Sequence, residues 1–145
     1  MILFPEKTSK GEYMNQKRLI ELAFKAADNA YCQYSNYKVG ACCLCKDGKY
    51  FLGANIENAS YGATICAERN AVFSAYSNGY KKDDIEALCI VTFAKKVGSP
   101  CGICRQVLCE LLHQDTPIIL ANENEVIITD IAELLPMQFT EEDLK

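Results

Sequence analysis

The chain is organised around two short segments, Cys66-Ala67-Glu68-Arg69 and Pro100-Cys101-Gly102-Ile103-Cys104-Arg105-Gln106. Together they supply three thiols, a carboxylate and two guanidinium groups. Cys101 and Cys104 are separated by two residues, so a single turn of chain can hold both sulfurs against one metal ion, and Cys66 can add a third sulfur. The spacing therefore predicts a zinc site with three cysteine ligands.

The predicted zinc site has an open fourth position. A structural zinc ion normally has four protein ligands, whereas a catalytic zinc ion keeps one position for water, whose pKa the metal lowers. Glu68 follows Cys66 by two residues and is placed to exchange protons with that water. A non-enzymatic zinc module is the alternative and would need a fourth ligand. His113, the single histidine, is expected at the surface near a helix end and not at the metal.

Length and composition favour one globular domain. The chain has 145 residues, of which 50% are hydrophobic and 23% are charged, as is usual for a domain with its own core. The net charge is −4, and no Lys or Arg run is interleaved with aromatic residues, which argues against a nucleic-acid partner. No stretch is apolar over the roughly 20 residues that a membrane helix needs. The apolar start, Met1 to Phe4, is too short for a signal peptide.

Nine cysteines without a secretion signal indicate reduced thiols and a cytoplasmic protein instead of a disulfide framework. Six of them lie outside the two metal-binding segments and are expected to behave as small hydrophobic core residues. These six are Cys32, Cys42, Cys43, Cys45, Cys89 and Cys109. A second metal site at Cys42-Cys43-x-Cys45 is disfavoured, because neighbouring side chains on a strand point to opposite faces.

The sequence pattern of the first third of the chain predicts a leader, a helix and a hairpin. Residues 1–13 show no clear hydrophobic period, so we expect a loose leader before a single domain over 14–145. A helical period predicts a helix that begins after Asn15, its cap, and ends near Cys32. Two apolar runs, 39–45 and 50–54, flank Asp47-Gly48, and this arrangement predicts an antiparallel hairpin.

Helical and strand patterns alternate after the hairpin. The predicted elements are a helix over 66–76, a strand over 85–93, a helix over 102–113, strands over 117–120 and 126–129, and a short helix over 130–135 capped by Asp130. Such alternation predicts a mixed five-stranded sheet with helices on both faces, which is a three-layer α/β/α domain. The three candidate zinc ligands then fall at or near helix starts, where free N–H groups favour thiolates.

Arginines stand beside both ligand segments. Zinc with three thiolates carries a formal charge of −1, and this excess negative charge opposes ionisation of a bound water. Hydrogen bonds from Arg69 and Arg105 to the sulfurs would withdraw some of that charge. We therefore expect the guanidinium groups of Arg69 and Arg105 to donate hydrogen bonds to the cysteine sulfurs.

Five motifs resemble, in order and spacing, those of the small cytidine deaminases. They are Tyr34-Ser35-x-Tyr37-x-Val39-Gly40-Ala41, Asn55-x-Glu57-Asn58-Ala59-Ser60-Tyr61-Gly62, Cys66-Ala67-Glu68-Arg69, Pro100-Cys101-Gly102-x-Cys104-Arg105-Gln106 and Leu134-Leu135-Pro136-x-x-Phe139. The resemblance covers roughly residues 15–140, and five ordered motifs are far more specific than a lone Cys-x-x-Cys pair.

The resemblance implies a zinc enzyme of pyrimidine salvage that hydrolyses cytidine and deoxycytidine to uridine and deoxyuridine and releases ammonia. It implies that Glu68 carries the protons, with one zinc ion per chain. It also implies a homotetramer whose active sites are shared between subunits, with Phe139 closing the pocket of a neighbour.

The same resemblance assigns the substrate contacts. Asn55 and Glu57 would hold the ribose 3′-hydroxyl, and Tyr37 would stand where the family usually has a Phe that packs on the pyrimidine. Tyr61 belongs to the same binding loop, and the backbone N–H of Ala67 is expected near the pyrimidine O2.

A related deaminase that acts on a different base, such as that of a nucleoside antibiotic or one within nucleic acid, is the alternative enzyme. The pair Asn55 and Glu57 favours a free nucleoside, because a 3′-hydroxyl is available only where no phosphodiester follows it.

Overall fold

The computed structural model describes residues 15–145, so the leader predicted at 1–13 lies outside the described residues. The helices and strands, in chain order, are α1 (Gln16–Ala27), β1 (Val39–Cys45), β2 (Tyr50–Ala54), α2 (Ala67–Ser77), β3 (Ile85–Thr92), α3 (Gly102–Leu111), β4 (Ile118–Ala121), β5 (Val126–Thr129) and α4 (Ile131–Leu134). Within this part of the chain, no helix has the length and apolar character needed to cross a membrane.

The strands form the predicted mixed five-stranded sheet, in the order β2-β1-β3-β4-β5. β1 is antiparallel to both β2 and β3. The predicted hairpin is therefore confirmed, and its turn places Gly48 at φ 90°, a conformation that glycine adopts without steric cost. β3 and β4 are parallel and are joined through α3, as expected for a βαβ crossover, and β5 returns antiparallel to β4.

Each face of the sheet has its own apolar core, which confirms the three-layer prediction. On one face α1 packs with Leu19 and Leu22 against the side of the sheet that carries Cys42 and Cys89. On the other face α2 and α3 cover the side that carries Cys43 and Cys45. Adjacent strand residues point to opposite faces, so these cysteines are split between the two cores.

The core prediction holds for five of the six remaining cysteines, because Cys42, Cys43, Cys45, Cys89 and Cys109 are buried. Cys32 is only partly buried, since it lies beyond the end of α1.

The first helix ends earlier than its apolar pattern predicts. Asn15 caps it, since its Oδ1 atom accepts a hydrogen bond from the Arg18 N–H at 2.9 Å, but α1 stops at Ala27 and not near Cys32. The chain leaves the helix because the Tyr31 backbone pairs with a loop after β2: its N–H donates to the Asn55 carbonyl at 2.9 Å, and its carbonyl accepts from the Glu57 N–H at 2.7 Å. A tertiary contact thus overrides the local helical preference.

Glycine allows α2 to approach the sheet closely. A Cβ atom at Gly53 of β2 would overlap the backbone of Ala67 and Ala71 in α2. The small side chains of both elements bring the N-terminus of α2, and with it Cys66, directly onto the sheet.

We predict that Gly53→Ala destabilises the protein by about 1–3 kcal/mol, the usual cost of overpacking a core. Gly62→Ala is the matched control, since a Cβ atom there meets nothing within 4 Å. Urea unfolding monitored by circular dichroism measures the difference through the midpoint at unchanged slope. Equal midpoints for the two variants would show that this close approach is not needed.

Candidate metal centre and active site

The three cysteines of the two metal-binding segments converge at the N-termini of neighbouring helices. Cys66 is the residue before α2 and Cys101 the residue before α3. Cys104 lies in the first turn of α3 and is buried. The three Sγ atoms all lie within 4.8 Å of one another, with Cys66 and Cys101 separated by 4.0 Å.

This cluster fits zinc. A tetrahedral ion with Zn–S bonds of about 2.3 Å holds its sulfurs roughly 3.8 Å apart, so small side-chain movements suffice to bind it. In the described part of the chain, no other group of three or more His, Cys, Asp or Glu side chains could hold a metal. His113 instead pairs with Asp83 at the surface, with Nε2 and Oδ1 2.5 Å apart. The cofactor is therefore zinc, and a fourth protein ligand, which a structural module would need, is not part of the cluster.

Arg69 lies against two of the sulfurs. Its Nε donates to Cys104 Sγ at 3.3 Å and its Nη2 donates to Cys66 Sγ at 3.4 Å. Residues three apart on a helix share a face, which explains how Arg69 reaches back to Cys66. The hydrogen bond with Cys104, followed by those from Arg69, lowers the pKa of Cys66 to about 5. The pKa of Cys104 rises because it shares that hydrogen bond with Cys66.

Arg105 does not contact the sulfurs, and the expectation that it would is wrong. Its Nε donates to the Pro100 carbonyl at 2.8 Å, its Nη1 to the Leu134 carbonyl at 2.5 Å and its Nη2 to Ser99 Oγ at 2.5 Å. Successive helix residues are rotated by about 100°, so Arg105 leaves α3 in a different direction from Cys104. Its contacts are with the loop before α3 and with the end of α4.

A cavity of about 360 Å³ opens beside Cys66 and Cys101. Its other lining residues are Ser35, Tyr37, Val39, Asn55, Glu57, Thr64, Glu68, Ile90, Thr92, Gly98 and Ser99. Glu68, in the first turn of α2, is 4% exposed, and burial raises its pKa. The predicted proton carrier and two of the predicted ligands thus share one cavity.

Glu57 stands in the same cavity and is fixed by three donors. Its Oε1 accepts the backbone N–H groups of Tyr34 and Ser35 at 3.0 and 3.1 Å, and its Oε2 accepts the Ser35 hydroxyl at 2.5 Å. The Ser35 hydroxyl is the main cause of a lowered Glu57 pKa, with the two backbone N–H groups adding to it. The Ser35 oxygen in turn accepts the Tyr37 N–H at 3.0 Å, so the carboxylate and the loop hold each other in place.

Asn55 fixes the start of β1. Its Oδ1 accepts the Val39 N–H at 2.9 Å and its Nδ2 donates to the Tyr37 carbonyl at 2.7 Å. Tyr37, whose side chain lines the cavity, is 42% exposed. Asn55 therefore fixes the backbone of Tyr37 and also lines the cavity itself.

The other predicted contact residues lie outside this cavity. Tyr61 is 75% exposed and borders an adjoining cleft, with its ring edge-on to Tyr34 at 6.0 Å. Phe139 is 56% exposed, and its carbonyl accepts from Gln106 Nε2 at 2.8 Å. Ala67 is fully buried at the first position of α2 and can offer its backbone only.

Several cavity residues were not assigned a role from the sequence. Ile90 and Thr92 belong to β3 and are two positions apart, so they share the face that carries α2 and α3. Gly98 and Ser99 come from the loop before Pro100 and line the wall next to Cys101. Strand alternation could have identified the first pair, whereas the loop has no sequence period.

Comparisons with known proteins agree with this site. The family described as the cytidine and deoxycytidylate deaminase zinc-binding region matches residues 14–120. The cytidine deaminase of Halalkalibacterium halodurans is 47% identical over 132 residues, covering 90% of this chain and 98% of its own. That of Sporosarcina psychrophila is 42% identical over 132 residues, covering 90% and 96%.

The fold agrees as well. The crystal structure of cytidine deaminase from Burkholderia pseudomallei superposes with a TM-score of 0.84 at 44% identity, covering 87% of this chain and all of that one. The chain therefore belongs to the cytidine and deoxycytidylate deaminase family.

Proposed function

We propose that the protein hydrolyses cytidine and deoxycytidine to uridine and deoxyuridine, with release of ammonia, in pyrimidine salvage. The observation that carries this proposal is one cavity that holds a three-cysteine zinc centre beside the buried Glu68 and also contains the Glu57 carboxylate. Relatives named cytidine deaminases that match nearly the whole chain support the same activity.

Cys66, Cys101 and Cys104 would hold the zinc ion, which would supply the Lewis acidity that lowers the pKa of the attacking water. Glu68 accepts a proton from the water that adds to C4 of the pyrimidine and passes it to N3. It then transfers the second proton of that water to the amino group, which leaves as ammonia. Its burial favours the neutral carboxyl form, which suits a group that must return each proton it accepts. One side chain thus serves every proton transfer.

Arg69 balances the charge of the three thiolates. Its two hydrogen bonds to sulfur withdraw negative charge from the centre and keep the zinc ion acidic. The N-termini of α2 and α3 act in the same sense, because their positive ends point at Cys66 and Cys101.

The polar end of the cavity suits a sugar. Glu57 keeps about one acceptor site, on Oε2, after accepting three hydrogen bonds. It would bind the ribose 3′-hydroxyl together with Asn55, while Tyr37 packs on the base. Among the described residues, no Lys or Arg lines this cavity, whereas two carboxylates, Glu57 and Glu68, do. A phosphate group would therefore be repelled, which favours a free nucleoside over a nucleotide or nucleic acid.

Neighbouring subunits complete the pocket in this proposal. Phe139 and Tyr61 are exposed and lie outside the cavity of their own chain, and large exposed aromatic groups commonly mark contact surfaces. We assign them to the pockets of neighbours in a homotetramer. The nine free thiols fit the reducing cytoplasm as the site of action.

Ammonia release from cytidine, deoxycytidine, cytosine and CMP tests the proposed substrate class. We expect turnover of both nucleosides, a raised KM for cytosine, which lacks the sugar, and little reaction with CMP. Preferred turnover of CMP, or no ammonia from either nucleoside by the zinc-loaded protein, would overturn the proposal.

Glu68→Gln should retain zinc and fold but lose about 10²–10⁴-fold in kcat, because the amide cannot carry protons. Metal analysis and thermal unfolding of the same preparation separate this loss from a loss of zinc or structure. A near-normal kcat would refute the role of Glu68.

Ser35→Ala should shift the acid limb of the KM profile to higher pH. The Ser35 hydroxyl lowers the Glu57 pKa, so its removal lets Glu57 protonate, and lose its acceptor role, at a pH where the unaltered protein still binds. Near pH 8 the Glu57 carboxylate is ionised in both the Ser35→Ala variant and the unaltered protein, so their KM values should be similar. Steady-state kinetics between about pH 4 and 8 measure the shift.

Ser77→Ala, at the exposed end of α2, is the control for the Ser35 variant. The shift should vanish with a cytidine analogue that lacks the 3′-hydroxyl. An unchanged acid limb, or the same shift with the analogue, would contradict the sugar-binding role of Glu57.

The shared pocket predicts complementation between two defective chains. Glu68→Ala and Phe139→Ala chains, each impaired alone, are refolded together so that mixed tetramers form. If Phe139 acts across the interface, some sites combine an intact Glu68 with an intact neighbouring Phe139, and activity exceeds the sum of the separate proteins. If the mixed tetramers are verified by mass and their activity equals the sum of the separate activities, Phe139 acts on the pocket of its own chain and the shared pocket is wrong.

A further inference from the structure

Arg105 links the loop before α3 to the end of α4 through side-chain hydrogen bonds. Its three bonding nitrogens donate to the Pro100 carbonyl, the Ser99 hydroxyl and the Leu134 carbonyl at 2.5–2.8 Å. Ser99 and Pro100 belong to the loop that ends at Cys101, and Leu134 is the last residue of α4. The guanidinium group therefore anchors the loop to α3 on one side and to α4 on the other.

The other side-chain anchor of the loop before α3 lies near its start, where Asn122 Nδ2 donates to the Ala94 and Lys95 carbonyls at 3.0 and 3.2 Å. Between Gly98 and Pro100, the one further hydrogen bond in the described part of the chain runs from the Gly98 N–H to Thr92 Oγ1 at 3.3 Å. Pro100 is buried, but it has no N–H to donate. Arg105 is thus the main polar restraint on the residues that lead into Cys101.

The three zinc ligands differ in how they are held. Cys104 lies inside α3 and is fully buried, so the helix itself fixes its sulfur. Cys101 is exposed and caps the helix, with its carbonyl accepting the Arg105 N–H at 2.9 Å. Its N-terminal side continues into the loop, so its sulfur position depends on the loop as well as on α3. Gly98 and Ser99 of the same loop also form part of the cavity wall.

We propose that Arg105 is a positioning residue that holds Cys101 and the adjoining cavity wall in place for zinc through the shape of its fork of donors, and not through its charge. Lysine carries the same charge but has one nitrogen, which cannot reach three acceptors lying in different directions. The proposal deepens the proposed function, since it rests on the zinc centre, but it is independent of which base is deaminated.

The test compares Arg105→Lys and Arg105→Ala by the rate at which a chelator removes zinc and by the absorption spectrum of the cobalt-substituted protein. Groups that orient metal ligands typically contribute about 10–100-fold to metal affinity, so we expect both variants to lose zinc about 10–100-fold faster. We also expect both to show an altered cobalt spectrum, since that spectrum reports ligand geometry. Arg18→Lys is the matched control, because Arg18 is an exposed arginine that pairs with Glu21 at 3.5 Å.

Ser99→Ala is a milder variant that removes one of the three acceptors and should accelerate zinc loss several-fold. If Arg105→Ala does not fold, the zinc-loss rates and cobalt spectra of Ser99→Ala and Arg105→Lys test the proposal instead. Zinc retention and a cobalt spectrum like those of the unaltered protein in Arg105→Lys would overturn the proposal, whatever the alanine variant does. Because neither readout involves a nucleoside, a failure here is distinct from a failure to deaminate cytidine.

Discussion

The active centre depends on three sulfur atoms that meet at the N-termini of two helices. α2 and α3 lie on the same face of the sheet, and this packing brings Cys66, Cys101 and Cys104 within 4.8 Å of one another. Three thiolates around one metal ion repel one another, and the Arg69 guanidinium and the helix dipoles offset part of that repulsion. Gly53 lets α2 approach the sheet closely enough for Cys66 to reach the other two sulfurs.

The rest of the cavity is built by loops that are fixed through side chains. Asn55 ties the start of β1 to the loop after β2, and Glu57 gathers donors from Tyr34 and Ser35. The metal end of the cavity is thus set by helix packing, whereas the end that contains Glu57 is set by hydrogen bonds between irregular segments. This division predicts that metal binding and substrate binding respond to different substitutions.

The sequence predicted the sheet, the layers and the zinc ligands because each leaves a local pattern: apolar periods, an Asp-Gly turn and a Cys-x-x-Cys pair. It failed where a tertiary contact overrides the pattern, as at the end of α1, where Tyr31 pairs with Asn55 and Glu57. It also failed for Arg105, since nearness in sequence to a ligand does not give the direction in which a side chain points. The roles proposed for Tyr61 and Phe139 concern contacts with a second chain and stay predictions.

Zinc content per chain tests the central claim most directly, namely that one zinc ion is held by Cys66, Cys101 and Cys104. Elemental analysis of the purified protein should give one zinc ion per chain, and Cys101→Ala should lose the metal and the activity together. Cys89→Ala, which changes a cysteine buried in the other core, should keep its zinc. A protein purified without zinc, or a Cys101→Ala variant that retains both metal and activity, would contradict this account.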